Sequence, residues 1–452
     1  MFALPGLLAL VVVEFMRPQE YLPALRGVPL LHLSAGLAAL GLVLDLRLGL
    51  TRLRAAPHLL LTVLFVLWCL VTVLVRAPGL VVPRAAALVI PIALYLLVAH
   101  AVQSFRAFEV LAGTVLALSL TLAVLGVHQG MAPLACYRVT VVERDFQWVY
   151  DGRPCAVRVD CDGEDAEPGA EYRCEHVGLL GTSSVNGRVR FRGTLEDPNE
   201  LALVLGMSMP LALAFLERRR TMARRALVLI TVVTVGLCTY FTQSRGGQVV
   251  FLTVLAVYFV RRVGPWRGAV AGTLLALPIL LFGGRSGGES STLERMTCWW
   301  VGLRLFTASP VFGVGSGQFT EHHYLTAHNS YILAAAELGV PGLLLWTAIL
   351  YVAVKIPVQA LRADIPPIGR TWALALLASM SGLLVGVLFL SFNYKDLLWL
   401  YLALTAVIYD AIRRHQPAFR VRFGIRDMAV VAIADGALLA AHIAYTGLTF
   451  GW

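Results

Sequence analysis

The sequence predicts an all-α polytopic membrane protein of about twelve transmembrane helices. Three observations predict it. Hydrophobic residues make up 58% of the 452-residue chain and charged residues only 14%, against about 45–50% and about 25% in soluble domains. The apolar residues form continuous runs of helix length rather than alternating strands, which excludes a β-barrel. Lysine and arginine collect in alternate connections, as they do around membrane spans.

Residues 1–127 hold N-terminal spans near 1–16, 28–44, 57–75, 85–103 and 107–127. The first, "MFALPGLLALVVVEFM", has neither a basic leader nor a small-residue cleavage site, so it reads as a short span and not a removed signal. Residues 128–195 are too long for a simple connection and form a cysteine-containing extracytoplasmic loop. Residues 196–283 carry central spans near 196–216, 226–243, 246–260 and 268–283, with an SRGG turn among them. A second extracytoplasmic segment, 284–330, contains an amphipathic helix. Residues 331–412 supply spans near 331–354, 371–391 and 396–412. The tail, 413–452, is basic and then apolar. Its stretch 428–446 contains Asp435 and His442, which suits either a helix along the interface or a thirteenth span.

Orientation follows from the basic loops. Arg47, Arg52 and Arg54, Arg106, the run "ERRRTMARR" (217–225), "RRVGPWR" (261–267), Lys355 with Arg362 and Arg370, and the arginines of 413–426 make up 20 of the 37 basic residues. Their side is read as cytoplasmic, with both termini on it. The net charge of +10 is then a property of topology and calls for no nucleic-acid partner. Chemistry is expected on the other side. Four of the seven cysteines, Cys136, Cys155, Cys161 and Cys174, fall in the first outer loop. On an oxidising face they predict two disulfides, with three connectivities open. The acidic turn "DCDGED" (160–165) lacks the ligand ladder of a calcium loop.

Candidate site residues lie around the second outer segment. Arg245, in "FTQSRGGQVV", sits at a tight turn between two spans, where arginine flanked by glycine is a functional candidate as well as a headgroup anchor. Arg295, Trp299 and Leu303 recur four apart and share one helix face. Gly313, Gly315 and Gly317 follow in a loop that no strand precedes, so a flexible turn is expected and not a nucleotide site. Asp197 is a candidate cap for a helix starting at Pro198 and Asn199. Arg190 and Arg192 precede it as a basic rim, and Arg304 adds another cation. His328 and Asn329 stand at the mouth of an apolar helix that "ELGVPG" breaks, with Glu337 expected to be structural.

Taken in order, TQSRGG, Arg295-x3-Trp299, the G-x-G-x-G run and His328-Asn329-x9-Gly339-x2-Gly342 resemble the O-antigen ligase and polymerase superfamily. "RGTLEDPNELA" (192–202) resembles that family's entry segment. The resemblance covers roughly residues 190–350. It implies a bacterial inner-membrane glycosyltransferase whose site faces the periplasm, with a glycan donor on undecaprenyl diphosphate. Arg245 and Arg295 would hold the diphosphate, because a guanidinium presents a planar fork to phosphate oxygens. His328 would be the base that activates an acceptor hydroxyl. Arg190, Arg192, Arg304 and Asn329 would bind substrate, Asn329 by orienting the histidine or capping its helix. No Asp-x-Asp pair flanks these residues, so the transfer is read as metal-independent and inverting, with no cofactor.

The acceptor stays open: another lipid-linked repeat (a polymerase, favoured for the extra loop), a lipid A core (a ligase), or a protein. A glycolipid flippase is the rival outside enzymes. It predicts charges distributed through several spans, whereas here they gather at one face.

Overall fold

The computed structural model describes residues 2–142, 145–163, 165–282 and 288–450. Glu164 of the acidic turn and the first residues of the second outer segment, 284–287, lie outside them. The apolar stretches are all helical: α1 (Ala3–Met16), α2 (Leu30–Arg47), α3 (Leu59–Arg76), α4 (Val81–Ala101), α5 (Phe105–Met131), α6 (Pro198–Arg218), α7 (Met222–Phe241), α8 (Arg245–Val263), α9 (Pro265–Phe282), α11 (Ser330–Arg362), α12 (Pro367–Gly386), α13 (Asp396–His415) and α14 (Ile425–Phe450). The amphipathic α10 spans Gly288–Ala308. Among the described residues, ten helices are long and apolar enough to cross a membrane, and α1 is a shorter apolar helix. The chain is a multi-pass membrane protein.

Most of α6, α11, α12 and α13 is buried and makes the centre of the bundle. Close approach elsewhere uses small residues, as is usual where lipid offers no hydrophobic drive between helices. A Cβ on Gly6 would lie 2.6 Å from the Ala38 nitrogen, so α1 and α2 touch backbone to backbone. The exposed start of α1 is satisfied by the Asp45 carboxylate at the far end of α2, which accepts from Phe2 N (2.8 Å) and Ala3 N (3.0 Å). That is the favourable placing of an anion at a helix N-terminus.

Residues 128–195 depart from the all-α expectation. They contain a three-stranded antiparallel sheet, β1 (Leu134–Val142), β2 (Asp145–Pro154) and β3 (Glu171–His176), in the order β2-β1-β3. The two expected disulfides are present, and the connectivity is Cys136–Cys161 and Cys155–Cys174.

The tail takes the second of its two expected forms, since α14 is long and apolar enough to cross a membrane. It runs antiparallel to α11, with Asp427 on Lys355 (2.5 Å) at one end and His442 against Asn329 (3.2 Å) at the other. The C-terminal end of α14 is therefore on the face that carries His328. Phe2 lies on the opposite face beside Asp45, so the two ends of the chain cannot both be on the side opposite the site. Asp435 and His442 made a buried crossing look costly, but both have partners: Asp435 Oδ1 accepts from Thr347 (2.8 Å) and His442 meets Asn329. The arginine-rich loops do share one face, joined by Arg218–Glu109 (2.8 Å) and Arg262–Glu217 (2.6 Å).

Candidate active site

α11 is broken at Gly339, where φ is +65° and ψ is −168°. The break frees the carbonyls of Ala336 and Glu337, which accept from Val314 N (2.9 Å) and Gly315 N (3.0 Å) of the glycine run. The fit admits no side chain: a Cβ on Gly339 would lie 2.2 Å from the Val311 oxygen, and one on Gly313 would lie 2.3 Å from the Glu337 carbonyl carbon. Glu337 locks the same loop, accepting from Gly317 N (2.8 Å), Phe319 N (3.1 Å) and the Tyr394 hydroxyl (2.8 Å). Arg84 stacks on Tyr394 at 3.9 Å and donates to Ser316 Oγ (2.9 Å). The expected flexible turn is thus a pinned loop, because its free amides meet a carboxylate twenty residues away in sequence. The structural role expected of Glu337 matches this geometry.

The mouth of α11 is anchored in the same way. Asn329 caps it, its Oδ1 accepting from Tyr331 N (2.9 Å) and Ile332 N (3.2 Å). Ser330 N donates to Val387 O (2.8 Å), and Ser330 Oγ donates to Leu390 O (2.7 Å) and accepts from Phe392 N (2.8 Å). Between these bonds and the glycine loop, His328 takes a left-handed φ of +48°. A non-glycine residue holds that conformation only where its surroundings impose it, and such strain gathers at functional positions. Burial pushes the His328 imidazole below its ordinary pKa, and the positive charge of Arg295 pushes it further; Asp197 and Glu294 oppose them. His328 is therefore neutral at neutral pH and able to accept a proton.

Arg295 is partly buried on α10, and burial lowers its own pKa against the pull of Asp197. Asp197 lies within electrostatic reach of both Arg295 and His328. It caps α6, its Oδ1 accepting from Asn199 N (2.7 Å) and Asn199 Nδ2 (2.8 Å). Asn199 Oδ1 in turn accepts from Arg188 Nη2 (3.0 Å) and from Ser244 Oγ (2.7 Å). Ser244 caps α8, accepting from Gly247 N (2.9 Å), and the next residue is the exposed Arg245. A Cβ on Gly247 would lie 2.4 Å from Ala202 Cβ, so this glycine lets α6 and α8 converge. Three capped helix starts, those of α6, α8 and α11, turn the partial positive charge of their N-termini to the same side.

Arg190 and Arg192 line a separate polar cavity of about 710 Å³ together with Glu20, Arg26, Thr182 and Glu196. Arg190 pairs with Glu196 (3.2 Å), and Arg192 donates to the Leu180 and Gly181 carbonyls (2.8 Å each). Glu196 places this cavity one residue from Asp197. Arg304 is not brought to His328; it is exposed and stacks over Trp300 at 4.9 Å. Sequence reasoning missed Asn199, Ser244, Glu294 and His442 as neighbours of the site. Only the cap position of Asp197 gave a signal, since the other pairings join segments far apart in the chain.

Residues 230–347 match the family model described as O-antigen ligase. Over that segment, 118 of the 452 residues, the chain is similar to the O-antigen ligase family. No curated protein and no solved structure matches the chain. The matched segment runs from within α7 to the kinked first half of α11, so it includes Arg245, Arg295, Arg304, His328 and Asn329. Arg190, Arg192, Asp197, the disulfide-braced sheet and α14 lie outside it.

Proposed function

We propose that this protein is a glycosyltransferase that moves a glycan from undecaprenyl diphosphate to an acceptor hydroxyl on the extracytoplasmic side of the bacterial inner membrane. The observation that carries it is His328, held in a left-handed conformation before the Asn329 cap of α11 and within electrostatic reach of Arg295 and Asp197. A ring nitrogen of His328 takes the proton of the acceptor hydroxyl as its oxygen attacks the anomeric carbon. The bond from that carbon to the phosphate oxygen breaks, and undecaprenyl diphosphate leaves with the electron pair. One displacement inverts the anomeric centre. Arg245 and Arg295 stabilise the charge growing on the diphosphate, assisted by the helix starts of α6 and α8. No step in this scheme requires a metal or a cofactor. The cavity lined by Arg190 and Arg192 is large enough for sugar units and adjoins Asp197, so it suits the incoming glycan.

We read the acceptor as a second lipid-linked repeat, making the enzyme a polymerase, because the sheet of residues 134–176 extends the site face for a long chain. The description of the matching domain favours the ligase reading, with a lipid A core as acceptor. Reconstitution in vesicles with a lipid-linked repeat and either acceptor separates the two by which product lengthens. His328→Ala should abolish transfer while donor still binds. Wild-type turnover by that variant would remove His328 from the mechanism.

A further inference from the structure

We propose that His442 of α14 is a positioning residue that fixes Asn329, and through it the His328 loop, in the transfer-competent geometry. This rests on the proposed reading of His328 as the base. His442 Nδ1 lies 2.8 Å from the Leu438 carbonyl, which can only accept, so that nitrogen carries the proton. In the neutral ring Nε2 is then an acceptor. It lies 3.2 Å from Asn329 Nδ2. The orientation of the Asn329 amide is independently settled, because its oxygen already accepts from Tyr331 N and Ile332 N. The bond therefore has one sense, from Asn329 Nδ2 to His442 Nε2. It holds the amide plane that caps α11 directly beside His328.

The imidazole is also held from its other side. Trp299 of α10 meets it edge to face at 5.1 Å, and Tyr445 and Phe450 of α14 pack against Trp299 and Trp300 at 6.4 and 6.2 Å. Arg295 is one turn before Trp299 on α10. α14 thus joins the helix bearing Arg295 to the cap next to His328, although it lies outside the matched segment. α14 is mostly exposed along its length, so its contact at His442 is local rather than part of the bundle core.

The test compares three substitutions in the full-length protein, with two readouts. Glutamine can place an oxygen where Nε2 lies; asparagine is one methylene short; leucine fills the space without an acceptor. We expect His442→Leu and His442→Asn to lower kcat about tenfold, one positioned hydrogen bond, with the donor KM unchanged. Hydrogen exchange at the Tyr331 and Ile332 amides should quicken in both. His442→Gln should restore kcat and exchange to within about threefold of wild type. Glutamine no better than leucine, or leucine at wild-type kcat with unchanged exchange, would overturn the proposal. If the wild-type protein turns over no lipid-linked donor, the functional reading fails, and the exchange readout alone still decides the role of His442.

Discussion

Replacing Arg295 or Arg245 by lysine separates a diphosphate site from a pair of membrane anchors. An arginine that only reaches headgroups works as a charge, and lysine keeps the charge. A guanidinium that grips two diphosphate oxygens offers a planar fork, and lysine does not. Arg295 is partly buried beside Asp197, where water competes weakly and a lost charge-assisted bond costs on the order of 1.5–3 kcal/mol. If the bond tightens as charge develops on the leaving group, turnover falls about ten- to a hundredfold. Arg245 is exposed, so its lysine variant should lie near the lower end, about tenfold. Arg218→Lys is the control: it sits on the opposite face in a surface pair with Glu109, worth at most about 1 kcal/mol of stability. The assay is turnover of lipid-linked donor by each purified variant at matched amounts in vesicles. Full activity in both lysine variants would refute the diphosphate role and move the search to Arg190 and Arg192.

Glu337→Ala leaves the Gly317 and Phe319 amides and the Tyr394 hydroxyl without their acceptor, at a cost of about 3–5 kcal/mol in a thermal unfolding measurement. Glu337→Gln, which keeps one acceptor oxygen, should lose less; equal stability for alanine and wild type would show that the glycine loop holds itself. Alkylation of the denatured, unreduced chain should label three cysteines, Cys69, Cys238 and Cys298, and reduction should expose the other four. Labelling of all seven without reductant would rule the disulfides out. In the pH profile of kcat/KM, activity should fall on acidification as His328 gains a proton, with the midpoint below that of an ordinary imidazole. Arg295→Gln should move that midpoint up and Asp197→Asn should move it down, measured by residual transfer; shifts of the opposite sign would show that these groups do not face His328.

The helices were legible because each is a continuous apolar run, and their order and the sidedness of the basic loops needed no tertiary information. Arg245 and His328 were legible as residue types at helix starts, and Arg295 as a cation on the helix face it shares with Trp299. What tied them together was not. Asp197 reads as a cap from its place before Pro198, but its electrostatic influence on Arg295 and His328 depends on how the chain brings the starts of α6 and α11 near α10. The pinning of Gly313, Gly315 and Gly317 depends on carbonyls that only a break at Gly339 leaves free. The sheet was less legible because its pairing joins residues as far apart in the chain as Leu134 and His176, within a loop rich in charge and cysteine. α14 stayed open between two readings for a different reason. A polar residue in an apolar stretch looks costly until its partner is seen, and Thr347 and Asn329 are nearly ninety and more than a hundred residues away.

The electrostatics of the site also fix when the base is strongest. In the free protein His328 resists protonation: burial and Arg295 depress its proton affinity, and Asp197 and Glu294 offset them only in part. A diphosphate seated on Arg245 and Arg295 adds negative charge within reach of the same ring. That charge raises the proton affinity of His328, so the donor that needs a base also strengthens it. The acid limb of kcat, which reports the donor complex, should therefore lie at higher pH than the limb of kcat/KM, which reports the free enzyme. Coincident limbs in a titration of both parameters would place the diphosphate away from His328. If His328 is the base, as proposed, the same reasoning explains why a cation stands next to it. Without Arg295, His328 would begin with a higher proton affinity, and the bound donor would raise it again. The imidazole would then keep its proton nearer to neutral pH and could not accept one from the acceptor. On the proposed reading, Arg295 serves the base as well as the phosphate.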